Sequence, residues 1–195
     1  IRWVCNSRVD HVDEEMLSAM KEAGCWNLAL GIESGDQGVL DSVNKNASLE
    51  QARRAVDTAK RVGVKVTGHV ILGLPKDSLK TLARTHRFVK GLDLDYVQYY
   101  CAMPYPGTSL YKTAQREGWL SLKDWHRFEH HVSVIDYPHL RSDEVMFLRG
   151  YYLARHYLRP KVLLPPLWEM LHSPARWPNA ISTAYAFVRW VLGKS

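Results

Sequence analysis

The stretch Cys25-Trp-Asn-Leu-Ala-Leu-Gly-Ile-Glu-Ser-Gly35 decides the fold, because an apolar run ends there in a glycine and a polar turn. A second stretch, Val64-Lys-Val-Thr-Gly-His-Val-Ile-Leu-Gly-Leu-Pro75, has the same form. Short and nearly continuous apolar runs are typical of strands in a parallel sheet that is covered on both faces. Each stretch therefore predicts a buried strand followed by a loop.

Amphipathic helical stretches separate four such runs. Asp13 is placed to cap one helix and Ser48 to cap another. Strands that alternate with helices indicate parallel strands joined by crossovers. About four βα units do not close a barrel, so this α/β chain is either a small open sheet or part of a larger barrel. The predicted strands span residues 1–5, 27–32, 64–72 and 96–102, and the predicted helices span 13–24, 37–43, 48–63 and 79–89.

The pattern changes after Pro106 and becomes helical. Helices are predicted over residues 142–158, 167–172 and 179–192. Pro160, Pro165 and Pro166 are expected to break the chain between the first two of these helices. The chain is therefore divided into an α/β segment, residues 1–111, and a helical extension, residues 112–195.

The composition argues against several classes of protein. The net charge of +6 is spread along the 195 residues, so nucleic-acid binding is not expected. No run of about 18 apolar residues occurs, so no segment is predicted to span a membrane. Three widely spaced cysteines do not form a closed disulfide framework and favour a reducing, cytoplasmic setting. The chain begins Ile-Arg-Trp, without a methionine, and is interpreted as part of a longer protein.

Ligands of parallel α/β folds bind at the carboxyl ends of the strands, which directs attention to the loops there. Glu33 and Ser34 follow the second strand, where a carboxylate can accept both hydroxyls of a ribose or act as a base. The equally weighted alternative is that Glu33 caps the next helix. Arg8 follows the first strand and can hold a carboxylate by a two-pronged contact, or form a surface ion pair with Asp10 or Asp13.

The third strand carries glycines where flat ligands could approach. Gly68 and Gly73 lack a Cβ atom, so a ring or another backbone can come close, although a bulge or tight packing is at least as well supported. His69 lies between them and is interpreted as a packed core histidine. The three cysteines have no local spacing typical of metal ligands.

Four sequence stretches within residues 1–111 are informative because they occur together and in a particular order. They are Arg8-Val-Asp10 with Met20-Lys-Glu-Ala-Gly24, Cys25 to Gly35 with Val39-Leu40 and Asn44-Lys45, Gly68 to Ser78, and Tyr105-Pro-Gly-Thr-Ser-Leu-Tyr111. Together they resemble motifs of radical S-adenosylmethionine (SAM) enzymes, including "GIESG", "G-x-IxGLPGET" and "PGTxLY". The best resemblance is to the cobalamin-binding group that includes the anaerobic magnesium-protoporphyrin ester cyclase and hopanoid-tailoring proteins.

The resemblance implies a fold and a set of SAM contacts. The chain would be the C-terminal portion of a partial (β/α)6 TIM-like barrel, followed by an α-helical tail. Glu33 and Ser34 match the end of the family's fourth strand, where polar groups contact the SAM ribose. Ile71 and Gly73 match the motif beside the adenine. Arg8 lies where a polar residue can approach the methionine carboxylate, and no residue of this chain is assigned a catalytic role.

The resemblance also implies cofactors whose ligands lie outside this chain. The family holds a 4Fe–4S cluster on a CxxxCxxC loop after its first strand, and this sequence contains no such motif. The cluster cleaves SAM and starts radical chemistry, so the chain alone is not expected to be active. Cobalamin would likewise be bound outside it. Lys76 and Asp77 replace the usual glycine and glutamate after Leu74-Pro75, which leaves the geometry of that loop open.

The implied partners are an electron donor and a small-molecule substrate, lipid-like or tetrapyrrole. Trp168, Trp177 and Trp190 flank short amphipathic stretches in the tail, which raises the hypothesis of contact with a membrane surface. Helices that pack against the barrel are the favoured interpretation of the tail. The alternative to an enzyme is a non-catalytic α/β module that binds a small ligand or a partner and never held a cluster.

Overall fold

A four-stranded parallel sheet with the order β1-β2-β3-β4 forms the centre of the molecule. The structure is a computed structural model that describes residues 1–121, 129–172, 182 and 185. The strands are β1 (Trp3–Arg8), β2 (Cys25–Glu33), β3 (Lys65–Leu72) and β4 (Tyr96–Cys101). The expected α/β class with about four parallel units is confirmed.

Helices connect the strands and follow the last one. Asp13 accepts a hydrogen bond from the N–H of Met16, and Ser48 forms a capping box with Gln51, so both predicted helix starts are confirmed. The helices are α1 (Glu14–Glu22), α2 (Gln37–Ser42), α3 (Leu49–Val62), α4 (Leu79–Gly91), α5 (Ser109–Arg116), α6 (Ser142–Tyr157) and α7 (Pro160–Leu171).

The predicted break at Pro165 and Pro166 is wrong, because α7 continues through both prolines. Pro160 begins this helix, a position where the missing N–H would have no partner within the helix. The later prolines lack the N–H groups that would bond carbonyls of the first turn, so the helix continues without two of its hydrogen bonds. The helix predicted over residues 179–192 lies outside the described residues, apart from positions 182 and 185.

The two faces of the sheet differ in polarity, whereas the apolar runs predicted two similarly covered faces. One face is apolar and packs under the helices, with Leu28, Leu30, Val66, Val70 and Val97 buried. The opposite face is largely polar, because the side chains that alternate with these apolar residues include amides, hydroxyls and rings. They are Asn6, Asn27, Thr67, His69, Gln98 and Tyr100.

The outer edge of β4 is bonded by side chains of α6. The Tyr157 hydroxyl donates to the carbonyl of Val97 at 3.0 Å and accepts from its N–H at 3.2 Å. Arg149, a fully buried side chain, donates from Nε to the carbonyl of Tyr99 at 2.8 Å. An edge strand normally leaves such groups open to other chains. Here α6 bonds both groups of Val97 and the carbonyl of Tyr99.

The loop after β3 is fixed by Asp77, one of the two residues that depart from the family pattern. Its carboxylate accepts from the N–H groups of Gly73 and Leu74 at 3.1 and 3.0 Å and from the Thr81 hydroxyl at 2.8 Å. Gly73 adopts a φ of 80°, a left-handed conformation that favours glycine. Its carbonyl accepts from the hydroxyl of Tyr137 at 3.1 Å. The shorter acid therefore closes the loop rather than capping α4, whose cap is Ser78.

Residues on both sides of the predicted boundary at position 111 share one hydrophobic core. Val70, Leu72 and Tyr99 from the sheet lie in the same buried cluster as Val145 and Leu153 from α6. The division into residues 1–111 and 112–195 stays a prediction. The described part of the extension nevertheless packs directly on the sheet.

Replacing Tyr157 with phenylalanine should loosen the edge of β4. The ring is retained, but the Val97 N–H and C=O lose their partner, and an unsatisfied buried polar group costs about 1–3 kcal/mol. We expect amide hydrogen exchange of a β4 peptide in the full-length protein to accelerate about tenfold. Tyr151→Phe, on an exposed part of the same helix, serves as the control. Equal exchange rates in wild type and Tyr157→Phe would contradict this account.

The stability of the loop after β3 should depend on pH. Burial raises the pKa of Asp77 to about 6, although hydrogen bonds from Thr81, Leu74 and Gly73 act in the opposite direction. Since the folded protein holds this proton more tightly than the unfolded chain, the contribution of Asp77 to stability is greatest below about pH 4 and is lost as the pH rises through 6. The loss amounts to ~3 kcal/mol at most, at 1.36 kcal/mol per pKa unit.

Asp77→Asn removes this titration and retains a carbonyl acceptor. We expect the difference in melting temperature between wild type and Asp77→Asn to change between pH 4 and 6.5. The melting temperature of the wild type should fall relative to that of the variant as the pH rises. Thermal unfolding of the full-length protein at a series of pH values measures it. Parallel curves for the two proteins would show that Asp77 does not titrate in this range.

Candidate functional site

A cavity of about 430 Å³ opens at the carboxyl ends of β2, β3 and β4. This is within the usual range for small-molecule sites, roughly 300–1,000 Å³. Its walls come from three strand ends, the loop after β4, α5 and residue 130. The lining residues are Glu33, His69, Ile71, Leu74, Tyr100, Cys101, Ala102, Met103, Tyr105, Leu110 and His130.

Glu33 brings a carboxylate to the cavity from a strained backbone position. Its φ is 62°, which is uncommon for a residue with a side chain. Lys45 holds the carboxylate through an Nζ to Oε1 contact of 2.6 Å, and both side chains are largely shielded from solvent. A Cβ atom on Gly31 would come within 2.7 Å of Glu33 Oε1 and 3.1 Å of Lys45 Nζ. The glycine two residues before Glu33 therefore makes room for this ion pair.

Ser34 is buried and does not line the cavity. Its hydroxyl shares a hydrogen bond of 3.1 Å with the hydroxyl of Thr85 on α4 and accepts from the N–H of Asp36 at 3.2 Å. Thr85 also accepts from the N–H of Gly35 at 2.9 Å. Ser34 thus fixes the turn after β2 against α4.

Ile71 near the end of β3 and Gly73 in the loop after it differ in their relation to the cavity. Ile71 lines it, two residues after His69 on the same face of β3. Gly73 is absent from the lining and forms the left-handed turn closed by Asp77 and Tyr137. The turn directs the chain away from the strand end.

Arg8 forms the ion pair that the sequence left as an alternative. Its guanidinium donates twice to the carboxylate of Asp10, at 2.9 and 2.7 Å, and this pairing holds the pKa of Asp10 below its usual range. Arg8 also donates to the carbonyl of Lys45 at 3.2 Å. Arg8 therefore supports the loop whose lysine holds Glu33. Among the described residues it is not part of the cavity lining.

Sequence reasoning missed Lys45 as a partner of Glu33, and missed Tyr100 and His130 in the cavity wall. Tyr105 begins a stretch that the sequence singled out, but its side chain was given no role. His69, interpreted as a core histidine, lines the cavity and is only half-buried. The alternation of side chains along β3 could have identified His69 as a lining residue, because His69 and Ile71 are two positions apart and lie on the same face of the strand. No local pattern identifies His130, which reaches the site through the tertiary fold.

The described residues do not offer a metal site. No group of three histidine, cysteine, aspartate or glutamate side chains there is arranged to hold an ion. Cys5, Cys25 and Cys101 are free thiols, and burial raises the pKa of Cys101 to about 12. A metal-binding cysteine must be a thiolate, so Cys101 is poorly suited to ligate a cluster. The residues present fit a small organic ligand and do not fit an iron–sulfur cluster.

Three comparisons with known proteins agree with one another. The family model of the radical SAM superfamily matches residues 1–89. An uncharacterized methyltransferase of Pyrococcus horikoshii is 36% identical over 87% of this chain and 37% of its own length. The anaerobic magnesium-protoporphyrin IX monomethyl ester cyclase of Rubrivivax gelatinosus is 30% identical over 57% of this chain and 20% of its own. The chain thus spans well under half the length of these curated relatives.

A solved structure extends the likeness to the fold. The radical S-adenosylmethionine methyltransferase TsrM from Kitasatospora setae, solved with cobalamin and a [4Fe-4S] cluster bound, superposes with a TM-score of 0.55. The match covers 60% of this chain and 22% of that chain at 16% identity. The family model spans the first three strands and the Pyrococcus relative matches most of the chain, so residues 1–89 are assigned to the radical SAM superfamily.

Proposed function

We propose that this chain supplies the distal SAM-binding rim of a radical SAM enzyme. The complete enzyme would cleave SAM reductively with a 4Fe–4S cluster and start radical chemistry, such as methylation or cyclisation, on an organic substrate. The observation that carries the proposal is the cavity at the strand ends, where a preorganised carboxylate and an apolar wall lie together. Glu33 provides the carboxylate, and Ile71 and Leu74 belong to the apolar wall.

Glu33 is suited to bind the ribose of SAM. In the part of the chain that the structure describes, Lys45 is the only hydrogen-bond partner of its carboxylate, through Oε1. The second oxygen can therefore accept a hydrogen bond from a ribose hydroxyl. Lys45 fixes the carboxylate before the ligand arrives, so less conformational freedom is lost on binding.

The other predicted contact residues divide into two groups. Ile71 offers an apolar surface for the adenine ring. Ser34, Gly73 and Arg8 are predicted as SAM contacts, and their hydrogen bonds favour a supporting role in which each fixes a loop at the rim. We propose that they act on SAM binding through the positions of Glu33 and Ile71.

The cluster and cobalamin would be bound by parts of the protein outside this chain. When bound, the cluster would supply the electron that divides SAM into methionine and the 5′-deoxyadenosyl radical. An external electron donor is required for that step. The cobalamin-bound structure of TsrM supports cobalamin as a second cofactor. Within this chain the task is to bind the adenosyl group and orient it.

We propose a small-molecule substrate, and the likeness to the cyclase supports a tetrapyrrole ahead of a lipid-like molecule. The three free cysteines support a cytoplasmic setting. None of the helices among the described residues is long and apolar enough to cross a membrane. Membrane-surface contact by the tail stays a prediction: Trp168 is exposed, while Trp177 and Trp190 lie outside the described residues.

A non-catalytic binding module is less well supported than an enzyme. The family model that matches residues 1–89 is that of the radical SAM superfamily, and curated relatives of this chain include a methyltransferase and a cyclase. A module that never held a cluster would have no need for the combination of strand-end motifs found here.

Replacing Glu33 with alanine should weaken SAM binding. A hydrogen bond to a charged acceptor contributes about 1.5–3 kcal/mol, which corresponds to roughly 10- to 100-fold in the dissociation constant. Equilibrium dialysis of SAM against the full-length, cluster-loaded protein under anaerobic conditions measures this. Asp57→Ala, an exposed carboxylate on α3, is the matched control and should bind SAM as the wild type does.

The same experiment with 2′-deoxy-SAM identifies the contact. If Glu33 receives the ribose hydroxyl, the analogue should bind the wild type less tightly than SAM and should lose little more in Glu33→Ala. Equal SAM affinity in the wild type and Glu33→Ala would remove Glu33 from the binding site.

A further inference from the structure

Aromatic rings from β3, β4, the loop after β4 and residue 130 form a wall of the cavity. Tyr100 on β4 makes edge-to-face contacts with His69 and His130, at centroid distances of 5.4 and 5.8 Å. Tyr105 from the loop after β4 contacts His130 in the same manner at 5.7 Å, and its hydroxyl lies 2.9 Å from His130 Nε2. The rings therefore hold one another in fixed orientations along one side of the cavity.

The segment that carries His130 is anchored to the protein interior. The carbonyl of His130 accepts from the N–H of Cys101 at 2.8 Å, which docks the segment on the edge of β4. The neighbouring His131 lies with Nδ1 3.1 Å from Nη2 of Arg149, and its ring stacks on Tyr100 at 5.8 Å. Since Arg149 is fully buried, its contact with His131 anchors the segment that carries His130 to the protein core.

The wall has polar atoms that the described residues leave available to a ligand. His69 makes no hydrogen bond to any described residue, and burial lowers the pKa of its imidazole. His130 uses Nε2 toward Tyr105, which leaves Nδ1 facing no described partner. A neutral imidazole can donate at one nitrogen and accept at the other.

The charge of the lining restricts the ligand further. Glu33 is the only charged residue among the lining side chains that the structure describes, and Lys45 already neutralises it. No lysine or arginine side chain in that lining is positioned to receive a phosphate or a carboxylate. Aromatic rings, methionine and leucine side chains with a few hydrogen-bonding nitrogens are suited to an uncharged ring system.

We propose that His130 and Tyr105, supported from behind by Tyr100, bind a planar heteroaromatic portion of the substrate next to the SAM site. This inference rests on the proposed function and adds the class of substrate. The ring of the substrate packs against the imidazole and the phenol, and its heteroatoms bond Nδ1 of His130 and a ring nitrogen of His69. A tetrapyrrole meets this description through its pyrrole edge, and so does a smaller heterocycle.

Saturation-transfer NMR on the full-length protein tests the proposal with indole as the probe. Cyclohexanol, which is similar in size and not planar, is the control ligand. Measurements are made with and without saturating SAM. We expect indole to bind in the presence of SAM and cyclohexanol to bind far more weakly.

Two variants locate the binding to the proposed wall. In His130→Ala and in Tyr105→Leu, the dissociation constant of indole should rise about three- to tenfold, the size of a lost ring contact. The SAM dissociation constant should change less than twofold in both, which also shows that the site is folded. His172→Ala, an exposed histidine at the end of α7, is the matched control and should bind indole as the wild type does.

Several outcomes would overturn the assignment. They are displacement of indole by SAM, equal binding of cyclohexanol and indole, and unchanged indole affinity in both variants. A parallel loss of SAM affinity in the variants would instead assign the wall to the adenosyl group and would also overturn it. If the wild type does not bind SAM, the proposed function fails, and the measurements without SAM still decide whether the wall binds a planar ring.

Discussion

The N–H and C=O groups along the outer edge of β4 are bonded by side chains of α6, and much of the structure depends on that contact. A peptide group buried without a partner costs about 1–3 kcal/mol. The N–H and C=O groups of β4 that point away from β3 therefore need hydrogen-bond partners. Tyr157 bonds Val97 and Arg149 bonds Tyr99. The sheet therefore ends at β4 without presenting an open edge there.

The same contact assembles the site. Arg149 reaches from α6 to the edge strand and also meets His131, so the segment that contains residues 130 and 131 is drawn against β4. The N–H of Cys101 completes this docking through the carbonyl of His130. Because the segment lies at the carboxyl end of β4, it becomes a wall of the cavity. The helical extension thus contributes to the rim as well as to stability.

At the end of β2, an ion pair stabilises the strained backbone conformation of Glu33. A non-glycine residue in the left-handed region costs of order 1–3 kcal/mol, and such positions persist where the surroundings fix them. Lys45 fixes Glu33 at 2.6 Å, Gly31 leaves space for the pair, and Arg8 holds the carbonyl of Lys45. The result is a carboxylate that is oriented before any ligand binds.

The sequence by itself determined the strands, most helix starts and the rim, because those depend on short-range chemistry. Ser48 caps α3 through a residue three positions away, and an apolar run followed by a polar turn marks each strand end. Glu33 and Ile71 line the cavity at such strand ends. The role of Glu33, Ile71, Ser34, Gly73 and Arg8 as SAM contacts stays a prediction. Only the tertiary structure decided which groups meet across long separations. Tyr157 lies 60 residues from Val97, and His130 lies 25 from Tyr105. Such contacts are fixed by packing in three dimensions, and no local pattern in the chain encodes them.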